Sequence, residues 1–156
     1  MTLESAKETR KKSSITIGFL VESNKERLRL TSLTGDLGFK KIADKNIHRP
    51  GLALAGFVEL FRYDRVQVFG NTEISYLEQL KPAQRAKTLE TIFCFDVPCV
   101  VVTSDNKVDE ILVKAALAHK VPVLQTPFET TKFIYFLSDF LDDQFAPQTV
   151  VHGSFV

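Results

Sequence analysis

Apolar and polar positions change period along this chain, and the clearest change falls between residues 97 and 125. Val97-Pro98-Cys99-Val100-Val101-Val102-Thr103 is a continuous apolar run, the pattern of a strand covered on both faces. Asn106 offers a helix cap with Asp109 three positions on, and Val108, Ile111, Leu112, Ala115 and Ala116 follow as a stripe of helical period. Val121-Pro122-Val123-Leu124-Gln125 is a second apolar run. Strand, amphipathic helix and strand within about 30 residues predict a βαβ unit with parallel strands and a right-handed crossover.

The flanking segments extend this pattern. Arg65-Val66-Gln67-Val68-Phe69 reads as a further strand, which Gly70-Asn71-Thr72 turns into a helix over Ile74 to Leu80. Pro82 interrupts that helix and starts another, because proline suits a first helical turn; it runs to Ile92, with Gln84, Arg85, Lys87 and Glu90 on a solvated face. Thr126-Pro127-Phe128-Glu129 is a capping box with proline at the first helical position. Its helix carries Phe133, Phe136, Leu137, Phe140 and Leu141 as a stripe and stops before Pro147. Nearer the N-terminus, Ile15 to Val21 fits a strand by its β-branched residues and a short helix capped by Ser14 by its spacing; the spacing tips the reading to helix. Leu28-Arg29-Leu30-Thr31 alternates like a short strand, and Gly35-Asp36-Leu37-Gly38 is a turn. The whole predicts a three-layer α/β/α domain with a mainly parallel sheet built from βαβ units, over residues 14–146. Residues 1–13 are expected to be a disordered basic tail. Residues 147–156 are expected to be a linker and the first strand of a second, truncated domain.

Composition narrows the functional classes. A chain of 156 residues, 44% hydrophobic, suits one domain with a real core. A net charge of +1 gives no field arguing for nucleic acid or a membrane surface. No run approaches the roughly 20 apolar residues of a membrane span, and the polar N-terminus does not read as a secretory signal; a cytoplasmic location is expected. Cys94 and Cys99 are too few for a disulfide framework, and a single C-x4-C with no histidine nearby in sequence makes a poor zinc site. They read as buried thiols.

Candidate chemistry concentrates where strands end. Gly70-Asn71-Thr72, Thr103-Ser104-Asp105-Asn106 and Gln125-Thr126 follow three strands that a parallel sheet would align. The carboxyl edge of such a sheet, with its helix N-termini, is where anionic ligands bind. Gly70, Asn71, Thr72, Thr103, Ser104 and Thr126, with Arg49, are therefore a possible ligand cleft. The plainer reading makes Asn71 or Thr72, Asn106 and Thr126 helix caps, and gives Arg49 a structural partner such as Glu73 or Asp64. His119 falls at a helix C-terminus, where a cation is welcome. There is no GxxxxGK[ST] phosphate loop, GxGxxG, GxSxG or HExxH in the chain. With only His48, His119 and His152, a triad or metal site has little material. No cofactor or metal is expected to bind this chain.

The ordered motifs resemble a known family. Arg49-Pro50-Gly51 with the small apolar run Leu52 to Phe57, then Arg65-Val66-Gln67-Val68-Phe69-Gly70-Asn71-Thr72-Glu73-Ile74-Ser75-Tyr76, is similar to the N-terminal domain of bacterial HPr kinase/phosphorylase. Pro98 to Thr103, Val121 to Leu124, Thr130 to Phe133 and Ala146-Pro147-Gln148-Thr149-Val150-Val151-His152-Gly153 match in order. His48 and Ser154 depart from the family's usual residues, and the basic tail has no counterpart.

The resemblance implies a homohexameric, two-domain enzyme. It would phosphorylate a serine of the phosphocarrier HPr with ATP and Mg²⁺, and reverse this with inorganic phosphate, in carbon catabolite control. It places the nucleotide loop beyond the end of this chain, so the chain alone is expected to be inactive. It also implies a likeness to Mur ligase N-terminal domains, and it makes His152 a catalytic candidate. The competing readings are a stand-alone module binding a small anion and a purely oligomerising domain.

Overall fold

A computed structural model describes the backbone of residues 7–10 and 12–151 and the side chains of residues 12–147. The elements run β1 (Lys7–Arg10), β2 (Ile15–Thr16), α1 (Ile17–Ser23), β3 (Thr31–Ser32), β4 (Lys41–Ile42), β5 (Ile47–His48), α2 (Gly51–Leu54) and β6 (Val66–Phe69). They continue with α3 (Asn71–Gln79), α4 (Pro82–Phe93), β7 (Val100–Val102), α5 (Glu110–Ala118), β8 (Val123–Gln125), α6 (Thr130–Phe145) and β9 (Gln148–Val151).

A five-stranded sheet in the order β3-β8-β7-β6-β5 forms the middle layer. β5 to β8 are parallel, and only β3 runs against its neighbour. The predicted βαβ unit is β7-α5-β8. Strand position moves one way across the sheet from β5 to β8, so right-handed crossovers place α2, α3, α4 and α5 on the same face. α1 and α6 cover the other.

Alternation along the short strands divides the core accordingly. Phe69, Val100, Val102 and Val123 join Leu77, Leu89, Ile92, Phe93 and Leu112 in one cluster. Val66, Val68, Val101 and Leu124 turn the other way, to Leu20, Ile42, Phe133, Leu137 and Leu141. Registered rows, Val68 beside Val101 and Val101 beside Leu124, keep each face continuous. This is the three-layer α/β/α architecture expected.

Four expectations for local structure change. The predicted helix at Ile15 begins two residues later, because Ile15 and Thr16 pair antiparallel with Ile42 and Lys41; Thr16, not Ser14, caps it by accepting from the Phe19 N–H at 3.1 Å. The strand read from Leu28 shrinks to Thr31–Ser32, since Arg29 sits at φ 50, outside extended geometry. Residues 7–10, assigned to a disordered tail, form β1 and pair antiparallel with β9. The face of α4 assigned to solvent is not wholly so: Arg85 Nε donates to the Leu77 carbonyl at 2.8 Å, Nη2 donates to that of Leu80 at 2.9 Å, and Nη1 pairs with Asp109. A single guanidinium thus closes the C-terminus of α3 and ties it to the start of α5.

The two cysteines are not alike. Cys99 is fully buried beneath the sheet, and burial pushes its thiol up to about 12. Cys94 is exposed at the C-terminus of α4, contrary to its reading as a buried thiol. A thiol-alkylating reagent at neutral pH is therefore expected to modify Cys94 alone, with Cys99 labelled only after denaturation. Mass spectrometry of the native and denatured protein checks this; labelling of native Cys99 would mean the sheet layer opens readily.

Candidate functional site

The carboxyl edge of the parallel sheet is built by register. Phe69, Val102 and Gln125 close one row, so the next residues of the three chains, Gly70, Thr103 and Thr126, come side by side. The Thr103 N–H donates to the Phe69 carbonyl at 3.1 Å and the Thr126 N–H to that of Val102 at 3.0 Å. Helices α3 and α6 start at this edge, which gives the site its shape.

Glu73 organises the first half. It lies one turn into α3, 5% exposed, and its Oε1 accepts from the Gly70 N–H and from Arg49 Nη2, both at 2.7 Å. Gly70, rather than Asn71 or Thr72, is the N-cap. A side chain there has no room: a Cβ would stand 2.6 Å from Thr130 Oγ1 and 2.7 Å from Arg49 Nη2. Gly70→Ala is expected to destabilise the fold by about 1–3 kcal/mol, as overpacking does. Part of that loss should return in the double variant with Thr130→Ala, which removes the nearest atom. Urea midpoints of the three variants check it; a neutral Gly70→Ala would mean that the edge relaxes freely.

Thr130 organises the second half. Its hydroxyl lies 2.6 Å from that of Thr103 and 3.4 Å from that of Ser104. Ser104 and Asp105 both adopt left-handed φ, 59 and 54, where the chain leaves β7. Their N–H groups donate to the carbonyls of Phe128 and Thr126 at 2.7 and 3.2 Å, which holds that turn in place. Asn106 Nδ2 donates to Asn71 Oδ1 and to the Thr103 carbonyl, each at 2.8 Å.

Two further cap assignments are corrected at this edge. Asn106 is spent on this cross-link, and Asp109 caps α5 instead, accepting from the Ile111 N–H at 2.9 Å. Burial raises the Asp109 carboxyl, but that N–H and Arg85 outweigh it and leave the group below its usual range. Thr126 does not cap α6: its hydroxyl donates to the Leu28 carbonyl at 2.7 Å and accepts from the Phe128 N–H at 3.2 Å. The cap is Glu129, which accepts from the N–H groups of Thr131 and Lys132 at 3.0 and 3.1 Å. Those bonds, first Thr131 and then Lys132, hold its carboxyl below the usual range, with Arg49 adding to the pull.

Of the predicted cleft residues, Gly70, Arg49, Thr103 and Ser104 converge around Thr130. Asn71 joins through Asn106. Thr72 lies outward, beside Asn71, Ser75, Tyr76 and Gln79, around a broad surface depression of about 450 Å³. Thr126 turns inward and does not reach the group. His152 lies outside the described residues. The two organising residues, Glu73 and Thr130, carry a faint sequence signal: an acid three residues past a cap glycine, and a threonine at a helix start. The assembled groups are mostly engaged with one another. Arg49 faces a carboxylate at 2.7 Å while 40% of its side chain remains exposed. Such an arrangement pins two helix starts to the sheet, and it contains no hydroxyl paired with a base.

Comparison with known proteins places this fold. The family model described as HPr Serine kinase N terminus matches residues 15–141. A protein of Chloroherpeton thalassium named HPr kinase/phosphorylase is 47% identical over 149 residues, and one of Prosthecochloris aestuarii with the same name is 42% identical over 151. Each alignment covers 94% of this chain but 44% of the relative, so the chain spans less than half the length of these proteins. Among solved structures, the CBS and DRTGG domains of the regulatory region of Clostridium perfringens pyrophosphatase, complexed with the activator diadenosine tetraphosphate, are similar. Their TM-score is 0.56 at 10% identity, over 81% of this chain and 50% of that one. That likeness concerns the fold alone. A family match through both core layers, from β2 into α6, means that this chain belongs to the HPr serine kinase N-terminal domain family.

Proposed function

We propose that this chain is the regulatory and assembly domain of a bifunctional HPr kinase/phosphorylase. The whole enzyme phosphorylates a serine of HPr with ATP and Mg²⁺ and removes the phosphate with inorganic phosphate, releasing pyrophosphate, in carbon catabolite control. It works as a cytoplasmic homohexamer. The observation that carries this reading is the match to relatives of that name along 94% of the chain. Among the described residues, no helix is long and apolar enough to cross a membrane.

The residues at the sheet edge do not fit Mg-ATP. A triphosphate needs a loop of free N–H groups and an uncommitted cation, whereas here the N–H groups of Ser104 and Asp105 are bonded and Arg49 is countered by Glu73. Phosphoryl transfer therefore takes place elsewhere in the enzyme. His152 is the residue of this chain that would take part in catalysis, moving a proton or contacting phosphate, within a site completed by a following domain. The same geometry disfavours the alternative of a small-anion module, since an anion would have to displace Glu73 from Arg49.

Two measurements test this. The reading frame downstream of codon 156 should encode a GxxxxGK[ST] loop, and its absence would sink the kinase reading. The 156-residue chain, incubated with HPr, ATP and Mg²⁺, should form no phosphoserine, while the chain continued through that loop should form it. Turnover by the 156-residue chain would overturn the division of labour.

A further inference from the structure

The opposite edge of the sheet carries a second group of chemically capable side chains. Helices α4 and α5 each precede a parallel strand, so their C-termini lie at the amino edge, away from the Glu73 and Thr130 clusters. Glu90 and Cys94 are one turn apart on α4 and share a face. The turn is closed, with the Cys94 N–H donating to the Glu90 carbonyl at 3.0 Å. His119 is the residue that ends α5, and its N–H donates to the Ala116 carbonyl at 3.1 Å. α4 and α5 pack side by side, which carries the imidazole across to α4. His119 Nε2 lies 2.8 Å from Glu90 Oε1. The carboxylate oxygen, thiol sulfur and ring nitrogen all lie within 4.8 Å of one another.

We propose that Glu90, Cys94 and His119 form a binding site for a divalent transition metal of the zinc class. A tetrahedral ion bound at about 2.0–2.3 Å by one sulfur, one nitrogen and one oxygen needs its ligands roughly 3–4 Å apart. The three atoms are within a small side-chain rotation of that spacing. The donor set is selective: a thiolate with an imidazole suits Zn²⁺ and its soft neighbours and does not suit Mg²⁺ or Ca²⁺. The backbone adds to this, because two helices end here and their terminal carbonyls turn partial negative charge toward a cation. Glu90 and Cys94 are exposed, so the fourth position is open to water. Bound metal would clasp α4 to α5 at the end opposite the Arg85–Asp109 contact. The cysteine pair has no histidine nearby in sequence; the fold supplies one from the next helix, and Cys94 acts without Cys99.

The test uses the reduced 156-residue chain titrated with Zn²⁺ and, as a spectroscopic substitute, Co²⁺. The expected result is one ion per chain, with a sulfur-to-cobalt charge-transfer band and the intense ligand-field bands of four-coordinate cobalt. Cys94→Ser should abolish the charge-transfer band and weaken Zn²⁺ binding by at least about tenfold, the least that loss of a ligand should cost when loss of a supporting contact costs about 10–100-fold. His119→Ala should weaken binding to a similar degree while keeping the charge-transfer band at higher cobalt. Zn²⁺ should also protect Cys94 from alkylation. Circular dichroism confirms that each variant is folded. A wild-type cobalt spectrum without the sulfur band, or Zn²⁺ affinity unchanged in Cys94→Ser, would overturn the proposal.

Discussion

Phe133→Ala is expected to cost about 3–5 kcal/mol, the range for truncating a large buried aromatic residue. Against a total stability of about 5–15 kcal/mol for a domain, that leaves a marginal fold. Phe133 is fully buried in the second core cluster, where the first turns of α6 meet the sheet. Its loss would leave a cavity under Val68, Val101 and Leu124, whose strands are only three or four residues long and have little freedom to close it. Tyr135, two residues on and 70% exposed, is the comparison: its alanine variant should stay within about 0.5 kcal/mol of wild type. Urea unfolding with unchanged slope is the measurement. If the two variants proved alike, the layer assignment of α6 would be wrong.

Removing the Arg49 guanidinium should produce the other large effect. Arg49→Ala leaves the nearly buried Glu73 carboxylate with the Gly70 N–H as its remaining partner. Breaking a buried pair from one side costs about 3–5 kcal/mol. Because 40% of the Arg49 side chain is exposed, water reaches the gap, and about 2 kcal/mol is the expected loss after that screening. Arg49→Lys should recover little of it, since a point charge on a flexible stem does not replace a planar fork. Glu73→Gln keeps the acceptor for Gly70 and should be milder. The double variant Arg49→Ala with Glu73→Gln should fall well short of the sum, because the isolated charge is gone. Additive losses would mean that the two residues act independently.

The central sheet was legible because its strands are covered on both faces and therefore read as unbroken apolar runs, as at Val100 to Val102 and Val121 to Leu124. The helices between them were legible from their stripes. The start of α4 was legible too, at Pro82; those of α3, α5 and α6 were not. Asn106, Thr126 and Asn71 are all good capping residues by type, yet each is drawn into a contact distant in sequence, with Asn71, Leu28 and Asn106 respectively. The cap then falls to Asp109, Glu129 and Gly70. Short polar side chains serve caps and cross-links equally well, and local sequence does not say which demand wins.

The N-terminal third was harder to read, since β2, β3 and β4 contain two residues each, too few to display a period. Arg85 illustrates the same limit at the surface. Its position on α4 marks it as solvated, but four partners outside its own helix claim it. For the candidate edge, the sequence brought out the right strands and four of the converging residues, and understated Glu73 and Thr130, whose importance comes from geometry. The same limit hid the neighbourhood of His119, which depends on how two helices lie against each other.

The pairing of β1 with β9 has a mechanical consequence. Lys7 lies opposite Val151 and Arg10 opposite Gln148, so the two strands leave the ladder at the same end. Tension applied between Lys7 and Val151 would unzip this ribbon one rung at a time, a low-force mode, before any pull reached the five-stranded sheet. The ribbon is thus a fuse in series with the α/β body, and strain arriving at either end is spent there first.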